Sequence, residues 1–555
     1  MHERIAMTDG TETDVMIVGA GPTGLSLAIE LGLRGVRALV VERHARTGSQ
    51  PRAKTTNVRS MQHLRRWGVA SKLRAAAPLP SDYPTDVVFS TRLFGRTLAV
   101  IENAFEGAKR REPRFPEPAQ WVPQYIVEAV LRDHVAAMRS VELRFNAELE
   151  HAEQSASGVV ATIRGLADGE PRAVRAKYLI GADGARSRVR EIIGARMEGE
   201  HAYALNYNLI LRIPELLLDP PDRRAIMYWL INKEAPAVMG PMDGEGLWHF
   251  GITLPPGVTE LDDDAIRRRV CDAIGRDVKI EILTRDVWAA HRLIADSYRD
   301  RRIFLAGDAC HLHPPFGGYG MNLGIADGVD LGWKLAAVLE GWGGPELLDS
   351  YEKERRPVHQ RTIAEAVANY RVLSAQLLKD SLEEDSEEGT RARHDVGDEI
   401  LRTKTREFRT LGVVLGSRYT ESPIIVGDGS APPGEHFATY EPSAYPGCLA
   451  PHAWLPDDTS LYDHFGRGYT LLALDDTAST EALAQAAERA GVPLTVLNFR
   501  DRQLRALYGA PLVLIRPDQY VAWRGARADA DRVIATLRGG RAIDAAASKD
   551  MEKTA

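Results

Sequence analysis

Hydrophobic and polar positions near the amino end follow first a strand pattern and then a helix pattern. Residues 14–18, DVMIV, form a short apolar run with β-branched residues, which predicts a buried strand. The next small and apolar residues recur at helical spacing: Leu25, Ala28, Ile29 and Gly32. Gly35 is suited to end this helix in a left-handed conformation, and residues 37–41, RALVV, predict a second strand that ends at Glu42. The pattern therefore predicts a βαβ unit.

Three later regions carry other patterns. Within residues 196–284, AIMYWLIN and LWHFGITL alternate and DDDAIRRRVCDAIG has helical spacing, which predicts an antiparallel sheet with helices. Residues 345–410 are helical and heavily charged, and we interpret this stretch as a solvated, mobile connection or, alternatively, an intersubunit contact. From about 450 the runs YTLLALDD, STEALAQAAERAG and PLTVLNF precede a hairpin with its turn at Pro517 and Asp518, then a final helix.

Size and composition narrow the class of protein. The chain has 555 residues, 44% hydrophobic and 26% charged, which predicts several domains. Its net charge of −7, with both signs interspersed, argues against nucleic acid or an anionic membrane as partner and favours small-molecule chemistry. Three scattered cysteines exclude a disulfide framework and fit a reducing cytoplasm. With no apolar run of the roughly 20 residues that a spanning helix needs, we expect a soluble, unexported protein without a membrane partner.

The turn between the first strand and the first helix carries Gly19, Gly21 and Gly24 in the pattern GxGxxG. Such glycines allow a tight turn, close approach of the backbone to a pyrophosphate and close packing of helix on strand. Glu42 follows at roughly the 20-residue spacing at which a carboxylate accepts hydrogen bonds from an adenosine ribose. A purely structural glycine turn is the alternative, but the strand, helix and acidic residue around the motif favour dinucleotide binding.

Two further segments identify the dinucleotide by resemblance. Residues 178–187, YLIGADGARS, and residues 302–311, RIFLAGDACH, continue into LHPPFGGYGMNLGIADGVDLGWKLA. With the GxGxxG turn they resemble, in order and spacing over about residues 13–370, the three fingerprints of the class A FAD-dependent aromatic hydroxylases, the superfamily of p-hydroxybenzoate hydroxylase and phenol hydroxylase. The region after 450 is similar to the thioredoxin-like carboxy-terminal domain of the phenol hydroxylase branch.

This resemblance implies an α/β fold with three parts. A Rossmann-like FAD domain of the glutathione reductase type would comprise residues 13–90, 115–195 and 285–370. An inserted substrate domain with a mixed or antiparallel sheet would comprise 91–114 and 196–284. A helical, charged connection (371–450) would lead to a thioredoxin-like domain (451–545), which without a Cys-x-x-Cys pair has a structural or dimer-supporting role. A homodimer is the family expectation.

The resemblance also implies which residues contact FAD. Asp308 would accept a hydrogen bond from the ribityl chain, and the glycines before the next helix would direct its amide groups at the reduced flavin ring. Asp183 matches a motif thought to serve both FAD and the nicotinamide, and Arg52 matches an arginine that reaches the pyrophosphate. Each of three residues has a purely structural alternative role. Asp308 would cap the end of a strand, Asp183 would stabilise a turn, and Gln124 would begin a helix. The full set of implied cofactor-binding residues is Gly19, Gly21, Gly24, Glu42, Arg43, Arg52, Gln124, Asp183, Asp308, Pro315, Gly317, Gly318, Gly320, Met321 and Asn322.

The implied reaction is hydroxylation of a phenolic ring by NAD(P)H and O2 through a flavin C4a-hydroperoxide. The protein must then move a phenolic pKa of about 10 towards the phenolate. Lys54 lies two residues after Arg52, where relatives carry an active-site histidine or aspartate, and it would act as a cation or, if desolvated, as the base. Alternatively, Lys54 neutralises phosphate or lies in solvent.

Other candidate residues and functions stay open. His311 and His313 invite a metal interpretation, but without a third ligand in the sequence we favour structural hydrogen bonds and expect no metal. Aromatic residues of a substrate pocket, or of the core, are Trp229, Trp248 and Trp288, together with His291. A halogenase is disfavoured because no Trp-x-Trp-x-Ile-Pro segment occurs, whereas an epoxidase, a ring-opening oxygenase or a catalytically silent flavin-binding protein remains an alternative. The sequence leaves the aromatic substrate and the choice between NADPH and NADH undetermined.

Overall fold

The structure is a computed structural model that describes residues 11–45, 53–254, 258, 260–371, 377–476 and 478–540. At positions 202–205, 288, 290 and 371 it describes the backbone alone. The strands are β1 (Thr11–Val18), β2 (Ala38–Glu42), β3 (Thr55–Thr56), β4 (Val87–Ser90), β5 (Thr97–Ile101), β6 (Gln120–Trp121), β7 (Val141–Phe145), β8 (Ala147–Gln154), β9 (Val159–Gly165), β10 (Pro171–Gly181), β11 (Met197–Arg212), β12 (Met227–Leu230), β13 (Ala237–Pro241), β14 (Leu247–Thr253), β15 (Glu281–Ala295), β16 (Arg299–Asp300), β17 (Ile303–Leu305), β18 (His311–Leu312), β19 (Tyr469–Ala473), β20 (Leu494–Asn498), β21 (Leu512–Ile515) and β22 (Val521–Gly525).

The helices alternate with these strands through most of the chain. They are α1 (Pro22–Gly32), α2 (Val58–Arg66), α3 (Ala70–Ala76), α4 (Gln124–Ala136), α5 (Arg188–Ile192), α6 (Glu215–Leu218), α7 (Asp263–Ile274), α8 (Gly320–Leu339), α9 (Ser350–Arg371), α10 (Glu387–Phe408), α11 (Leu411–Val414), α12 (Glu481–Arg489), α13 (Arg502–Tyr508) and α14 (Ala530–Leu537). In the described part of the chain, none of them is long and apolar enough to cross a membrane.

The first sheet contains the predicted βαβ unit. Its strand order is β16-β17-β10-β1-β2-β7, and β1 pairs in parallel with both β2 and β10. Because β1 is covered by helices on its faces, Val15, Met16 and Ile17 are fully buried. Helix α1 packs against α8, so two segments more than 280 residues apart in sequence meet at the end of β1. Helix α8, from the second half of the chain, therefore lies beside the glycine turn that precedes α1.

The second sheet has the order β18-β15-β11-β14-β13-β12-β4-β5 and is mostly antiparallel, with a parallel pair between β4 and β12. Its membership differs from our predicted domain limits at two points. Strand β4 pairs with β12 although residues 87–90 were assigned to the FAD domain, and β15 continues to Ala295, beyond the limit at 284. Sheet pairing is not readable from the alternation of a single strand, which explains both differences.

The charged stretch after α9 is not a solvated connection, and that expectation is corrected. Helix α10 lies against β5. Its apolar stripe packs against aromatic residues of the second sheet and consists of Ala392, Val396, Ile400 and Phe408. Most of the acidic and basic residues of α10 occupy the opposite face, which is why the composition alone reads as polar, whereas Lys404 and Glu407 are buried.

The carboxy-terminal sheet has the order β20-β19-β21-β22, with β19 parallel to β20 and antiparallel to β21. A buried ionic cluster joins it to α8 and α9. Arg516 Nη1 lies 2.6 Å from Glu354 Oε1, and Arg516 Nη2 lies 3.1 Å from Asp330 Oδ1 and 2.7 Å from Asp518 Oδ2. Lys334 Nζ completes the cluster at 2.6 Å from Glu354 Oε2. The domain is therefore anchored on the helices that carry the site described next.

Candidate active site

A connected cavity of about 2300 Å³ lies between the carboxyl ends of the first sheet's strands and one face of the second sheet. Such crevices at the carboxyl ends of parallel strands are the usual ligand sites of open α/β sheets. The volume exceeds the roughly 300–1,000 Å³ of a site for one small ligand, so it has room for a dinucleotide and a second molecule. The predicted site residues that line it are Gly19, Gly21, Glu42, Arg43, Lys54, Gln124, Asp183, Asp308, Pro315, Gly317, Gly318, Gly320 and Met321.

The three glycines of the GxGxxG turn differ in whether the protein has room for a side chain. A Cβ on Gly19, which has φ of +107°, would stand 2.2 Å from the carbonyl oxygen of Ala182, and one on Gly24 would stand 2.0 Å from that of Gly19. These two glycines are required by the protein itself, and Gly24 does not line the cavity. A Cβ on Gly21 would meet no atom within 4 Å. Gly21 is the N-cap of α1 and offers no capping side chain, so the first amide groups of α1 remain available to an anion.

Three predicted cofactor residues have hydrogen bonds to the protein: Glu42, Gln124 and Arg43, whose Nε donates to His44 Nε2 at 3.1 Å. Glu42 accepts hydrogen bonds from the backbone N–H groups of Ala20 (3.0 Å) and His44 (2.9 Å), which leaves each carboxylate oxygen a further lone pair for a ribose hydroxyl. Gln124 begins α4 and donates to Glu128 at 2.7 Å. Arg43 is exposed at the cavity edge, and Arg52 lies outside the described residues.

Asp183 is engaged by the start of α5. Its carboxylate accepts hydrogen bonds from Ser187 Oγ (2.5 Å) and from the backbone N–H groups of Arg188 (2.7 Å) and Val189 (3.1 Å). Burial raises the pKa of Asp183, and these hydrogen bonds oppose the shift. The side chain of Asp183 therefore stabilises the turn before α5, which is its structural alternative, and it also borders the cavity.

The segment before α8 bends sharply around the cavity. Gly317 and Gly318 have φ of +85° and +67°, and a Cβ on Gly318 would press on Thr55. Asn322 differs from the expectation, because it does not line the cavity. Its side-chain amide donates to the carbonyl oxygens of Thr55 (2.9 Å) and Gly318 (2.7 Å), while its Oδ1 accepts from Asn57 N–H (2.9 Å). Asn322 therefore positions the loop that carries Lys54 through its side chain, and its contact with a cofactor stays a prediction.

A buried polar cluster behind Asp308 bears on the metal question. Ligand atoms of Cys310, His311 and Asp327 lie within 4.8 Å of one another, so the third group missing from the sequence pattern exists in space. Asp327, however, already accepts hydrogen bonds from Gly307 N–H, His311, His359 and the guanidinium of Arg355. Burial raises the pKa of the Cys310 thiol well above its usual range. A saturated carboxylate, a protonated thiol and an arginine favour a structural cluster over a cation site.

Lys54 lies in the cavity wall, and no acceptor for its Nζ is found among the residues that the structure describes. Burial lowers the pKa of Lys54 to about 8, so the amine is charged at neutral pH but close to its titration range. The strand pair β3–β6 fixes its position, since Val122 N–H donates to the Lys54 carbonyl at 2.7 Å. Lys54 is therefore a buried cation in the cavity wall whose ammonium group has no hydrogen-bond acceptor among the described residues.

Aromatic side chains enclose the end of the cavity near Lys54. Among them Trp229 lies 6.2 Å from Phe316, and Phe105 lies 6.4 Å from Trp121 and 5.5 Å from Phe408, measured between ring centroids. Phe105 has a left-handed backbone, with φ of +59°, a strain that is often found at functional sites.

The other predicted aromatic candidates divide into three cases. His291 lines the cavity, whereas Trp248 is buried on the opposite side of β14, in the core. The side chain of Trp288 lies outside the described part.

Sequence reasoning missed several residues of the cavity wall. Asn206 and Asn208 of β11 and His249 and Gly251 of β14 face it from the second sheet, and Glu407 and Phe408 face it from α10. The alternation in LWHFGITL contained a signal, because it places His249 and Gly251 on the face opposite Trp248 and Phe250. It did not show which face was the cavity.

Comparisons with known proteins agree over most of the chain. The family described as FAD binding domain matches residues 12–366, and the family described as aromatic-ring hydroxylase, C-terminal, matches residues 443–540. The chain is 34% identical to tetracenomycin B2 monooxygenase-dioxygenase of Streptomyces olivaceus (93% of this chain, 96% of the relative). It is 30% identical to phenol 2-monooxygenase of a Pseudomonas species, strain EST1001 (94% and 91%). The solved structure of the rebeccamycin biosynthetic enzyme RebC with reduced flavin superposes with a TM-score of 0.89 at 36% identity (96% and 100%).

Proposed function

The chain belongs to the FAD-dependent aromatic-ring hydroxylases, and from that premise we propose that it hydroxylates a phenolic substrate of several fused rings with NAD(P)H and O2. One observation carries the substrate class: the dinucleotide cradle opens, without a partition, into an aromatic-walled chamber in a cavity of about 2300 Å³. This volume leaves room, beside a dinucleotide, for a substrate larger than a single phenol ring.

FAD fits the residues present. We propose that the amide groups at the start of α1 and Gly21 hold its pyrophosphate, Glu42 its adenosine ribose and Asp308 its ribityl chain, with Arg43, Gln124 and the turn from Pro315 to Met321 completing the contact. The bound flavin supplies oxygen activation. The protein excludes water through its aromatic walls and keeps a cation, Lys54, beside the substrate.

We propose that Lys54 stabilises the phenolate form of the substrate. Its ammonium group has no hydrogen-bond acceptor among the described residues, and burial lowers its pKa to about 8. A phenolate oxygen would replace the water that the buried ammonium group has lost. A more nucleophilic ring is then presented for hydroxylation. An epoxidase or ring-opening oxygenase would use the same cavity and is separated from a hydroxylase by its product.

Finer assignments extend the proposal. The parallel and antiparallel pairing around β19 supports a thioredoxin-like carboxy-terminal domain. Three free cysteines are consistent with the cytoplasm, and a homodimer is the family expectation.

Gly21→Ala tests the cradle directly. The new methyl group meets no protein atom within 4 Å but would occupy the place of the pyrophosphate, so we expect FAD binding at least about tenfold weaker, or about 1.4 kcal/mol, with unchanged apoprotein stability. Gly427→Ala is the matched control, since it also adds a methyl group in open space and lies far from the cavity. Isothermal titration of the apoprotein with FAD measures both. Equal affinity in the two variants would contradict the assignment.

The proposed function is tested by anaerobic stopped-flow reduction of the flavin with NADPH and with NADH. The panel is phenol and resorcinol with one ring, 2-naphthol with two and 2-hydroxyanthraquinone with three. We expect a fused-ring phenol to accelerate reduction most, and the faster nucleotide to identify the preferred reductant. Identical reduction rates with every aromatic compound would favour a silent flavoprotein.

A further inference from the structure

The roof of the chamber carries a polar notch. His249 and Gly251 on β14 lie beside Asn208 on β11, which pairs with Gly251 across the sheet. Gly251 keeps the notch open, because a Cβ there would stand 3.1 Å from Asn208 Oδ1 and 3.9 Å from His249 Nε2. A hydroxyl group is of the size and polarity that such a notch accepts.

The imidazole of His249 lacks the hydrogen bonds expected of a structural histidine. The residue is 8% exposed, and its Nδ1 has no partner among the described residues. Buried polar groups are normally paired, and an unpaired one destabilises the fold. Because Nδ1 is buried from the cavity, Nε2 on the Gly251 side is the nitrogen that a ligand in the notch can reach.

The charges around His249 favour its neutral form. Burial lowers the pKa of His249 well below its usual range, and the positive charge of Lys54 lowers it further. The flanking strands present the neutral residues Ile210 of β11 and Gly240 of β13, and Lys54 is the only charged side chain of the described residues that is recorded as acting on the ring. A neutral imidazole and an ammonium group therefore share one chamber.

We propose that His249 is a substrate-binding residue whose neutral imidazole accepts a hydrogen bond from a hydroxyl group of the aromatic substrate. The hydroxyl group keeps its proton in this contact, and no bond is broken. This assignment rests on the proposed function.

The probe for the test is 2-hydroxyanthraquinone, because its phenolate absorbs at longer wavelength than its phenol. Spectra of the probe bound to the oxidised holoenzyme are recorded against pH. The spectra report how much probe is bound and its protonation state. With His249→Phe we expect the neutral probe to bind about tenfold more weakly, because one hydrogen bond is lost, with unchanged FAD affinity. His151→Phe, at an exposed histidine on β8, is the matched control.

Gly251→Ala provides a second test that leaves His249 in place. The backbone of Gly251 accepts alanine, and the methyl group fills the notch, so we expect the probe to bind about tenfold more weakly. Unchanged probe affinity in His249→Phe, or, if that variant does not fold, unchanged probe affinity in Gly251→Ala, overturns the role of His249 alone. If the unaltered holoenzyme neither binds the probe nor reduces its flavin faster with any aromatic, the proposed function fails, and His249 with it.

Discussion

Lys54→Met should lower the rate of product formation about 100-fold while NAD(P)H oxidation continues and its electrons appear as hydrogen peroxide. The variant removes the cation that we place beside the phenolate, and general acid–base and charge contributions of this kind are worth about 10²–10⁴-fold. FAD binding should be retained, because the methionine side chain is close in length to that of lysine. Product and peroxide are quantified in the same reaction.

The pH dependence of coupling between NAD(P)H oxidation and hydroxylation is a second readout for Lys54. Since burial lowers the pKa of Lys54 to about 8, its charge is present below pH 8 and is lost as the pH rises through 8. The unaltered enzyme should therefore lose coupling above about pH 8, whereas Lys54→Met should be poorly coupled throughout. Lys72→Met, on the exposed side of α3, is the control. Equal coupling and equal pH profiles in the two variants would contradict the role of Lys54.

Arg516→Met should destabilise the folded protein by about 3–5 kcal/mol, the usual result of removing one partner from a buried ionic cluster. Arg516 is fully buried between Glu354, Asp330 and Asp518. Burial alone would raise the pKa of Glu354, but Arg516 and Lys334 bring it down to about 2. Without Arg516 these carboxylates stay buried with too little positive charge.

Thermal and urea unfolding of the holoenzyme measure the Arg516 effect. Arg524→Met is the matched control, because Arg524 lies on the same hairpin and pairs at 2.6 Å with Asp428 nearer the surface, where a loss of about 1 kcal/mol is expected. Because several domains unfold, the apparent midpoint is compared before any free energy. A midpoint for Arg516→Met equal to that of Arg524→Met would show that the cluster does not hold the carboxy-terminal domain.

The parts of the fold that sequence predicted are those set by local rules. The strand, glycine turn and helix from β1 to α1 are contiguous, and close packing explains why Gly19 and Gly24 must be glycine. The confirmed family resemblance likewise rested on short contiguous segments, and its loop before α8 does border the cavity.

The parts that sequence missed depend on distant pairing. His249 became a candidate only when β14 was seen between β11 and β13, with that face towards Lys54. Helix α10 reads as a polar segment, yet it delivers Phe408 and Glu407 to the chamber. Asn322 and Asp183 matched family positions, but their recorded hydrogen bonds are to the protein, which a motif cannot reveal.

Labelled oxygen is the most direct test of the central claim. The holoenzyme is supplied with the preferred nicotinamide, with O2 carrying the heavy isotope and with the fused-ring phenol that most accelerates flavin reduction. Mass spectrometry of the aromatic product should show one heavy oxygen atom gained from O2 and none when the label is in water. A product labelled from water, or complete recovery of the electrons as hydrogen peroxide with no hydroxylated ring, would contradict aromatic hydroxylation at this site.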